Sequence, residues 1–240
     1  MITPYNSNES KVDQVKKMFN HIAPSYDQLN RIISLGLDKK WRKKGIKMLS
    51  PYLPQKILDL ATGTGDLAID MVNSIPSVNK IIGADISDEM MRIGSKKVRT
   101  LNLEEKISFQ KEDALKLSFE DGSFDAITIA FGIRNFEDIP GSIKELKRVL
   151  KEGKPLMILE LTEPKNRLMR WGYKIYSGKF IPFIGNMISN DANAYSYLPK
   201  SITSVPQRDE MVKLFYEAGF TEAYYKSLVP GTCAIYMAIK

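Results

Sequence analysis

Lys56-Ile-Leu-Asp-Leu-Ala-Thr-Gly-Thr-Gly-Asp-Leu-Ala-Ile-Asp70 is the stretch whose reading decides the fold. Ile57, Leu58 and Leu60 form the short apolar run of a buried strand. Gly63-Thr64-Gly65 turns the chain with two residues that tolerate positive φ and close backbone approach. Asp66 follows, and Leu67, Ile69 and Met71 open a helix whose first N–H groups point back toward the turn. A strand, a glycine turn and a helix start in this order place a ligand crevice at the end of the strand.

Downstream of this unit, the pattern predicts strands at Lys80–Ala84, Ile107–Gln110, Asp125–Ala130 and Pro155–Leu161, with helices at Asp66–Ser74, Asp88–Leu101 and Ser142–Leu150. The alternation implies βαβ units, a mostly parallel sheet and right-handed crossovers that put helices on both faces. A helix at Arg208–Ala218 precedes two strands, Ala223–Val229 and Thr232–Ile239, that flank Pro230-Gly231 as a hairpin, so the sheet should end on an antiparallel strand. Upstream, Val12, Val15, Met18, Phe19 and Ile22 recur at helical spacing, and Pro24 interrupts that helix. Ser25 or Asp27 is placed to cap the next helix, which ends at Gly36, and Asp38 to cap a basic helix from Lys39 to Leu49. The expected organisation is one domain: a helical cap (1–50), a core (51–163), an insert (164–205), and a C-terminal helix with hairpin (206–240).

Composition narrows the classes. The 240 residues are 43% hydrophobic and 26% charged, an ordinary globular balance. A single cysteine, Cys233, forbids an intramolecular disulfide, and with a single histidine, His21, no metal site is expected. The N-terminus lacks a basic region followed by an apolar core, and no run of about 18 apolar residues occurs, so neither a signal peptide nor a spanning helix is expected. A cytoplasmic location follows, with contact at the inner membrane surface in view. The net charge of +7 suits nucleic acid, an anionic membrane or simple solubility.

Gly63-Thr-Gly65-Asp-Leu-Ala68 fits G-x-G-x-x-G/A after a strand, and Asp85, roughly 20 residues on, ends the second strand where a carboxylate takes ribose hydroxyls. This much is shared by nicotinamide and S-adenosylmethionine sites. Asp59, just before the turn, would repel a dinucleotide pyrophosphate but attract the ammonium and sulfonium of S-adenosylmethionine. Asp113, after the third strand, can accept the exocyclic N–H of adenine. The series Asp59, Asp85, Asp113 therefore favours S-adenosylmethionine as cofactor.

The chain resembles the quinone C-methyltransferases, which methylate demethylmenaquinol and, in some members, a ubiquinol precursor. The resemblance runs from about Val15 to Lys240. It rests on Phe19-Asn-His-Ile-Ala-Pro-Ser-Tyr-Asp27, Asp59-Leu-Ala-Thr-Gly-Thr-Gly-Asp66, Asp125-Ala-Ile-Thr-Ile-Ala-Phe-Gly-Ile-Arg-Asn135, Glu160-Leu-Thr-Glu-Pro164, Asn190-Asp-Ala192 and Ser196-Tyr-Leu198 with Ser201-Ile202. It implies an α/β, Rossmann-like class I methyltransferase with a seven-stranded sheet, and cofactor contacts at Thr62, Asp85, Asp113 and Ala114. Ile86, beside Asp85, and Tyr26, with Asp27 in the cap, join the expected cofactor set. One departure is Ala130, where members often have a serine taken as a cofactor contact; here the backbone serves or that contact is absent.

Such chemistry needs a ring carbon made nucleophilic by loss of a quinol hydroxyl proton, whose ordinary pKa is near 10. Arg134 stays protonated and would stabilise a phenolate or polarise a water; the alternative is an ion pair with an acid such as Asp138. Asn135 could hold the second quinol oxygen. Glu160, at the end of the fifth strand, faces the same cleft or pairs with a lysine. His21 and Asp191 are possible bases, and Tyr195 and Tyr197 would line an aromatic pocket or pack.

A polyprenyl tail on the acceptor would explain the 165–190 stretch, where Lys165, Arg167, Arg170, Lys174 and Lys179 interleave with Trp171, Tyr173, Tyr176, Phe180 and Phe183. That composition suits transient contact with an anionic membrane surface, or a solvated basic face over an ordinary core. Other readings are a methyltransferase for RNA or another small molecule, and a non-catalytic cofactor-binding partner protein. No Asn/Asp-Pro-Pro-Tyr-type motif is present, so nucleic acid is not the expected partner. Nothing in the sequence reads an oligomeric state.

Overall fold

The structure, a computed structural model, describes residues 2–5, 7–180 and 192–240. Seven strands, β1 (Lys56–Leu60), β2 (Lys80–Asp85), β3 (Ile107–Lys111), β4 (Ala126–Ala130), β5 (Pro155–Leu161), β6 (Glu222–Leu228) and β7 (Cys233–Ile239), form one sheet in the order β3-β2-β1-β4-β5-β7-β6. β1 to β5 pair in parallel, and β7 runs antiparallel to both β5 and β6, as the hairpin reading requires. The strand order reverses between β1 and β4, and a crevice opens where their carboxyl ends diverge.

The strands are buried on both faces because helices cover both. α4 (Asp66–Ser74) and α5 (Asp88–Thr100) lie between strands of the first half, α6 (Ile139–Val149) and α9 (Asp209–Glu217) with the second. Successive residues alternate between two core layers: Ile57 and Met157 pack with Trp41, Leu49 and Met71, whereas Leu58 and Leu156 pack with Ile143, Phe215 and Tyr236. Each such fully buried side chain contributes about 1.5–3 kcal/mol, so the sheet is a rigid platform for whatever stands on its edge.

Ahead of the sheet come α1 (Lys11–Ile22), a 3₁₀ turn at Ala23–Ser25, α2 (Tyr26–Ile33) and α3 (Leu37–Leu49), here called the cap. The helix starts differ from expectation. Asp38 does not cap α3; Gly36, at φ +73°, is the N-cap and Asp38 lies inside the first turn, accepting from Ser34 Oγ at 2.8 Å and Arg42 Nη1 at 2.9 Å. A left-handed residue turns α2 directly into α3, so the helix begins two residues early. Ser25 takes the N-cap position of α2 without a side-chain cap hydrogen bond, because the 3₁₀ turn runs into the helix without a break, and Asp27 lies inside the first turn. α6 starts at Ile139 rather than Ser142, capped by Asp138 with Pro140 in the first turn, where its missing N–H costs nothing.

The insert contains α7 (Arg167–Ile175), capped by Asn166 and running into a π-helical turn at Tyr176–Phe180, and α8 (Ala192–Ser204). Tyr195 and Tyr197 of α8 pack with Met18, Ile22 and Leu29 of the cap, so cap and insert share a third apolar cluster above the sheet edge. Asp191 and the end of the 165–190 stretch lie outside the described residues. Among the described residues no helix is long and apolar enough to cross a membrane.

Candidate active site

Two cavities stand over the carboxyl ends of β1 and β4. The smaller, about 70 Å³, lies on the β2 side and is lined by Asp85, Ile86, Asp113 and Ala114, with Val12, Val15 and Phe19 of α1 closing it. The larger, about 350 Å³, lies between the sheet edge and helices α2, α3, α7 and α8. Five residues line both: Tyr26, Ala61, Gly63, Ala130 and Phe131.

The β2 side is built from strand-end carboxylates. Asp85 Oδ2 accepts from Gly63 N at 2.8 Å and Oδ1 from Ser87 N at 2.9 Å, which ties the glycine turn to the second strand. Burial pushes its carboxyl up, against the pull of these backbone donors. Gly63, at φ +56°, has only Tyr26 near its missing Cβ, at 3.8 Å, so a ligand can approach the backbone. Gly65, at φ +79°, serves packing instead: a Cβ there would meet the Phe109 ring at 3.0 Å. Asp113 is exposed and accepts from Leu115 N at 2.9 Å, a local turn that leaves its other oxygen toward the rim.

Asp59 lies deep in β1, 1% exposed, and accepts from Thr62 Oγ1 and Thr128 Oγ1, both at 2.6 Å. Burial raises its pKa to about 6, with the two hydroxyls resisting. Four acids line the large cavity, and three have cations: Asp38 and Asp66 contact Arg42, and Asp27 and Asp66 contact Lys97. Asp59 alone of the four has no ion pair among the described residues. A buried carboxylate answered only by hydroxyls fits a cationic group entering the cavity, which is the demand that the methionine end of S-adenosylmethionine makes. Asn135, lining the small cavity, likewise keeps Oδ1 without a hydrogen-bond partner.

The seam between the cavities is conformationally unusual. Ala61 and Phe131, the residues directly after β1 and β4, take φ +53° and +58°. Left-handed backbone is costly for side-chain-bearing residues, and here it turns both strand exits toward each other. Gly132 completes the seam, since a Cβ on it would lie 2.4 Å from the Ala61 Cβ. The Phe131 ring packs against Trp41 of α3 at 6.3 Å between centroids.

Beyond the seam, the 3₁₀ turn Ile133–Asn135 presents Arg134, 8% exposed, to the large cavity. Arg134 Nη1 donates to Glu160 Oε1 at 2.8 Å, its backbone N to Glu160 Oε2 at 3.3 Å, and Nη1 also to Phe131 O. Burial works against the guanidinium charge, but Glu160 and the Tyr26 and Tyr197 hydroxyls more than restore it, so Arg134 stays protonated. Its Nε and the Tyr197 Oη are buried without hydrogen-bond partners among the described residues. Burial raises the Tyr197 and Tyr173 phenols to about 12, so both stay neutral.

The structure thus brings Asp59, Thr62, Gly63, Asp85, Ile86, Asp113, Ala114 and Tyr26 to the cavities, with Arg134 and Asn135 on the turn where the cavities meet. Glu160 stands behind Arg134, in place of the Asp138 or lysine pairings, and Tyr197 stands beside it in the electrostatic neighbourhood of both. His21 is exposed on the last turn of α1, and Tyr195 packs under the cap; neither lines a cavity. Sequence reading missed Phe131 as a wall of both cavities and the Arg42 and Lys97 clasp around Asp66; the carboxylates Asp27, Asp38, Asp66 and Asp70 facing two unassigned cations were the available clue. Among the described residues no group of three or more His, Cys, Asp or Glu side chains is placed to hold a metal ion.

Comparisons with known proteins agree with this architecture. The model of the "ubiE/COQ5 methyltransferase family" matches residues 6–240. A demethylmenaquinone methyltransferase of Porphyromonas gingivalis is 51% identical over 239 residues, covering 100% of this chain and 98% of the relative. One of Thermus thermophilus is 40% identical over 220 residues, covering 92% and 98%. Among solved structures, a SAM-dependent methyltransferase of Thermotoga maritima, described as a possible histamine N-methyltransferase, superposes with a TM-score of 0.65 at 16% identity, covering 93% of this chain and 99% of that one; it shares the fold.

Proposed function

The chain belongs to the ubiE/COQ5 methyltransferase family, and on that premise we propose that it transfers a methyl group from S-adenosylmethionine to a ring carbon of demethylmenaquinol, giving menaquinol. The observation that carries this reading is the pair of cavities meeting at one seam. The smaller offers the carboxylates Asp85 and Asp113 for an adenosine; the larger offers Asp59 for a cation and, beyond it, room for an acceptor beside a buried arginine. When bound, the cofactor supplies an electrophilic methyl carbon. The chain's own residues bind, orient and exclude water.

In this reading Asp85 accepts the ribose hydroxyls, Asp113, Ala114 and Ile86 border the adenine, and Asp59 meets the cationic end, helped by Thr62. Tyr26 and Phe131 close the seam. Arg134 faces the acceptor oxygen that loses its proton, and its fixed charge in a dry site stabilises the oxyanion far better than water would. Glu160 keeps that guanidinium in place. Arg134 Nε and Asn135 Oδ1, unpartnered among the described residues, are the polar atoms that a quinol would satisfy, while Tyr197 lines neither cavity and stands beside Arg134. His21 and Tyr195 have no part in this assignment because neither lines either of the two cavities; the hydroxyl proton leaves to water, and once the ring carbon carries the methyl it gives up its own hydrogen as a proton and the oxygen is reprotonated, so one proton is released overall. The test is incubation with labelled S-adenosylmethionine and reduced demethylmenaquinol: label should enter the quinone fraction, and its absence despite cofactor binding would overturn the reaction.

We further propose peripheral contact with the inner membrane surface, because a polyprenylated quinol resides there. Leu168, Trp171 and Ile175 of α7 are exposed at 76%, 65% and 44%, alongside Lys165, Arg167 and Arg170, and Leu35 at the cavity mouth is 73% exposed. Apolar anchors between basic residues suit an anionic bilayer. Sedimentation with vesicles containing phosphatidylglycerol should recover the protein at low salt, and equal recovery with neutral vesicles would remove the electrostatic part of this reading.

A further inference from the structure

A charged group with no part in the assignments above is buried at the foot of the cap. Lys11, the first residue of α1, is 9% exposed, and its aliphatic stem and ammonium are folded inward instead of reaching into water. Lysine is among the residues least often buried, so an inward ammonium requires acceptors. Nζ donates to Phe136 O at 2.7 Å and approaches Arg134 O at 3.4 Å. These carbonyls flank Asn135 and belong to the exit of the 3₁₀ turn Ile133–Asn135. The contact spans more than a hundred residues of sequence, so chain connectivity does not impose it.

We infer that Lys11 is a positioning residue for methyl transfer, holding the peptide of Arg134 from below while Glu160 holds it from the other side. This inference rests on the reading of Arg134 as the group facing the acceptor. The backbone of Arg134 is fixed at both ends: its N–H donates to Glu160, and its carbonyl lies beside Lys11 Nζ. The side chain therefore leaves the turn along one direction, toward the large cavity. Lys11 also opens the helix whose next turn supplies Val12 and Val15 to the small cavity. One ammonium thus joins the wall over the cofactor to the turn that carries the arginine. A misplacement of about 1 Å at a reacting group can lower turnover on the order of a hundredfold, so a pin at this turn is felt in catalysis more than in binding.

The experiment compares the full-length wild type with Lys11→Met and Lys11→Arg, measuring kcat and the acceptor KM with reduced demethylmenaquinol and cofactor affinity by calorimetry. Lys11→Met, which retains the stem without the donor, should lower kcat by about 10- to 100-fold, with the acceptor KM and cofactor Kd within about threefold. Lys11→Arg, which can still donate to both carbonyls, should recover kcat to within about fivefold of wild type. If Lys11→Met fails to fold, Lys11→Leu, equally apolar and without a donor, carries the same comparison. Retention of wild-type kcat by the neutral variant would overturn the inference, as would equal loss in the neutral and arginine variants. A wild type that binds cofactor but transfers no label to the quinol would instead overturn the reaction itself.

Discussion

The two halves of the site answer their own polar groups in opposite ways. At the strand-end carboxylates, Asp85 of the small cavity and Asp59 of the large one, the protein supplies the partners: Asp85 is held by the amides of Gly63 and Ser87, and Asp59 by the hydroxyls of Thr62 and Thr128. At the Ile133–Asn135 turn, Arg134 Nε, on the large cavity, and Asn135 Oδ1, on the small one, are buried without a hydrogen-bond partner among the described residues, and the walls of the large cavity come from helices scattered through the sequence. A buried polar atom without a partner costs about 1–3 kcal/mol, so the second half holds an unfavourable term that a matching acceptor removes. The carboxylates are hydrogen-bonded before a ligand arrives; the polar atoms of the turn are answered only by one. Affinity is expected to reside in the first, and selectivity in the second.

Substitutions can break this contrast, and the largest expected effect is at Arg134. Arg134→Met should lower kcat on the order of 10²–10³-fold while cofactor affinity stays within about threefold, read by steady-state kinetics and calorimetry. It also strands Glu160, 1% exposed, and should cost about 3–5 kcal/mol of stability. Adding Glu160→Gln should recover much of that stability without recovering turnover; recovery of both would make Arg134 structural only. Next comes Asp85→Ala, expected to weaken the cofactor about 10- to 100-fold with kcat at saturation little changed, since charge-assisted hydrogen bonds are worth about 1.5–3 kcal/mol. An unchanged cofactor Kd would place the ribose elsewhere.

The third effect is a pH dependence. Asp59 titrates at about 6 rather than its ordinary 3.8, and a cation binds only its ionised form well. Cofactor affinity should therefore be full above about pH 7 and fall about tenfold by about pH 5, with proton uptake or release detectable from the buffer dependence of the heat. The stability of the protein without cofactor has the opposite sign. Folded Asp59 holds its proton more tightly than unfolded, so its contribution is fully present below the ordinary value of 3.8 and is lost as pH rises through about 6. The smallest effect sharpens the contrast most: Tyr197→Phe should stabilise the cofactor-free protein by about 1 kcal/mol, because it deletes a hydroxyl unanswered among the described residues, while the acceptor KM stays within about twofold because Tyr197 lines neither cavity. A loss of stability instead would mean that the hydroxyl is already satisfied.

The same contrast explains what the sequence made legible. Asp59 and Asp85 sit at strand ends, and strand ends are marked by apolar runs and glycine turns within a few residues of the carboxylates. The order of strands and helices, the hairpin and the basic, aromatic insert were readable for the same local reason. Glu160 as the partner of Arg134 was not, because the pair is 26 residues apart and forms only when β4 and β5 lie side by side. Sequence-local pairing suggested Asp138, which caps α6. Asp38 failed as a cap because Gly36 made the turn first, a tertiary convenience with no local penalty. His21 and Tyr195 were attractive by residue type, but helical phase and packing turned the first outward and the second under the cap. Lys11 looked like one more surface lysine until the fold brought two carbonyls to it.

The seam residues bear on how such an enzyme can be altered or recombined. Ala61 follows β1 and Phe131 follows β4, both left-handed, and residue 132 has to be glycine because the Ala61 methyl fills the space that a Cβ there would take. These positions are 70 residues apart in the chain but act as one joint. A chimera that grafts a different acceptor wall after β4 onto this nucleotide-binding half would therefore have to bring Ala61 with Phe131 and Gly132, as a single inherited unit. Acceptor preference can diversify freely in α2, α3, α7 and α8, whereas the joint itself resists piecemeal exchange.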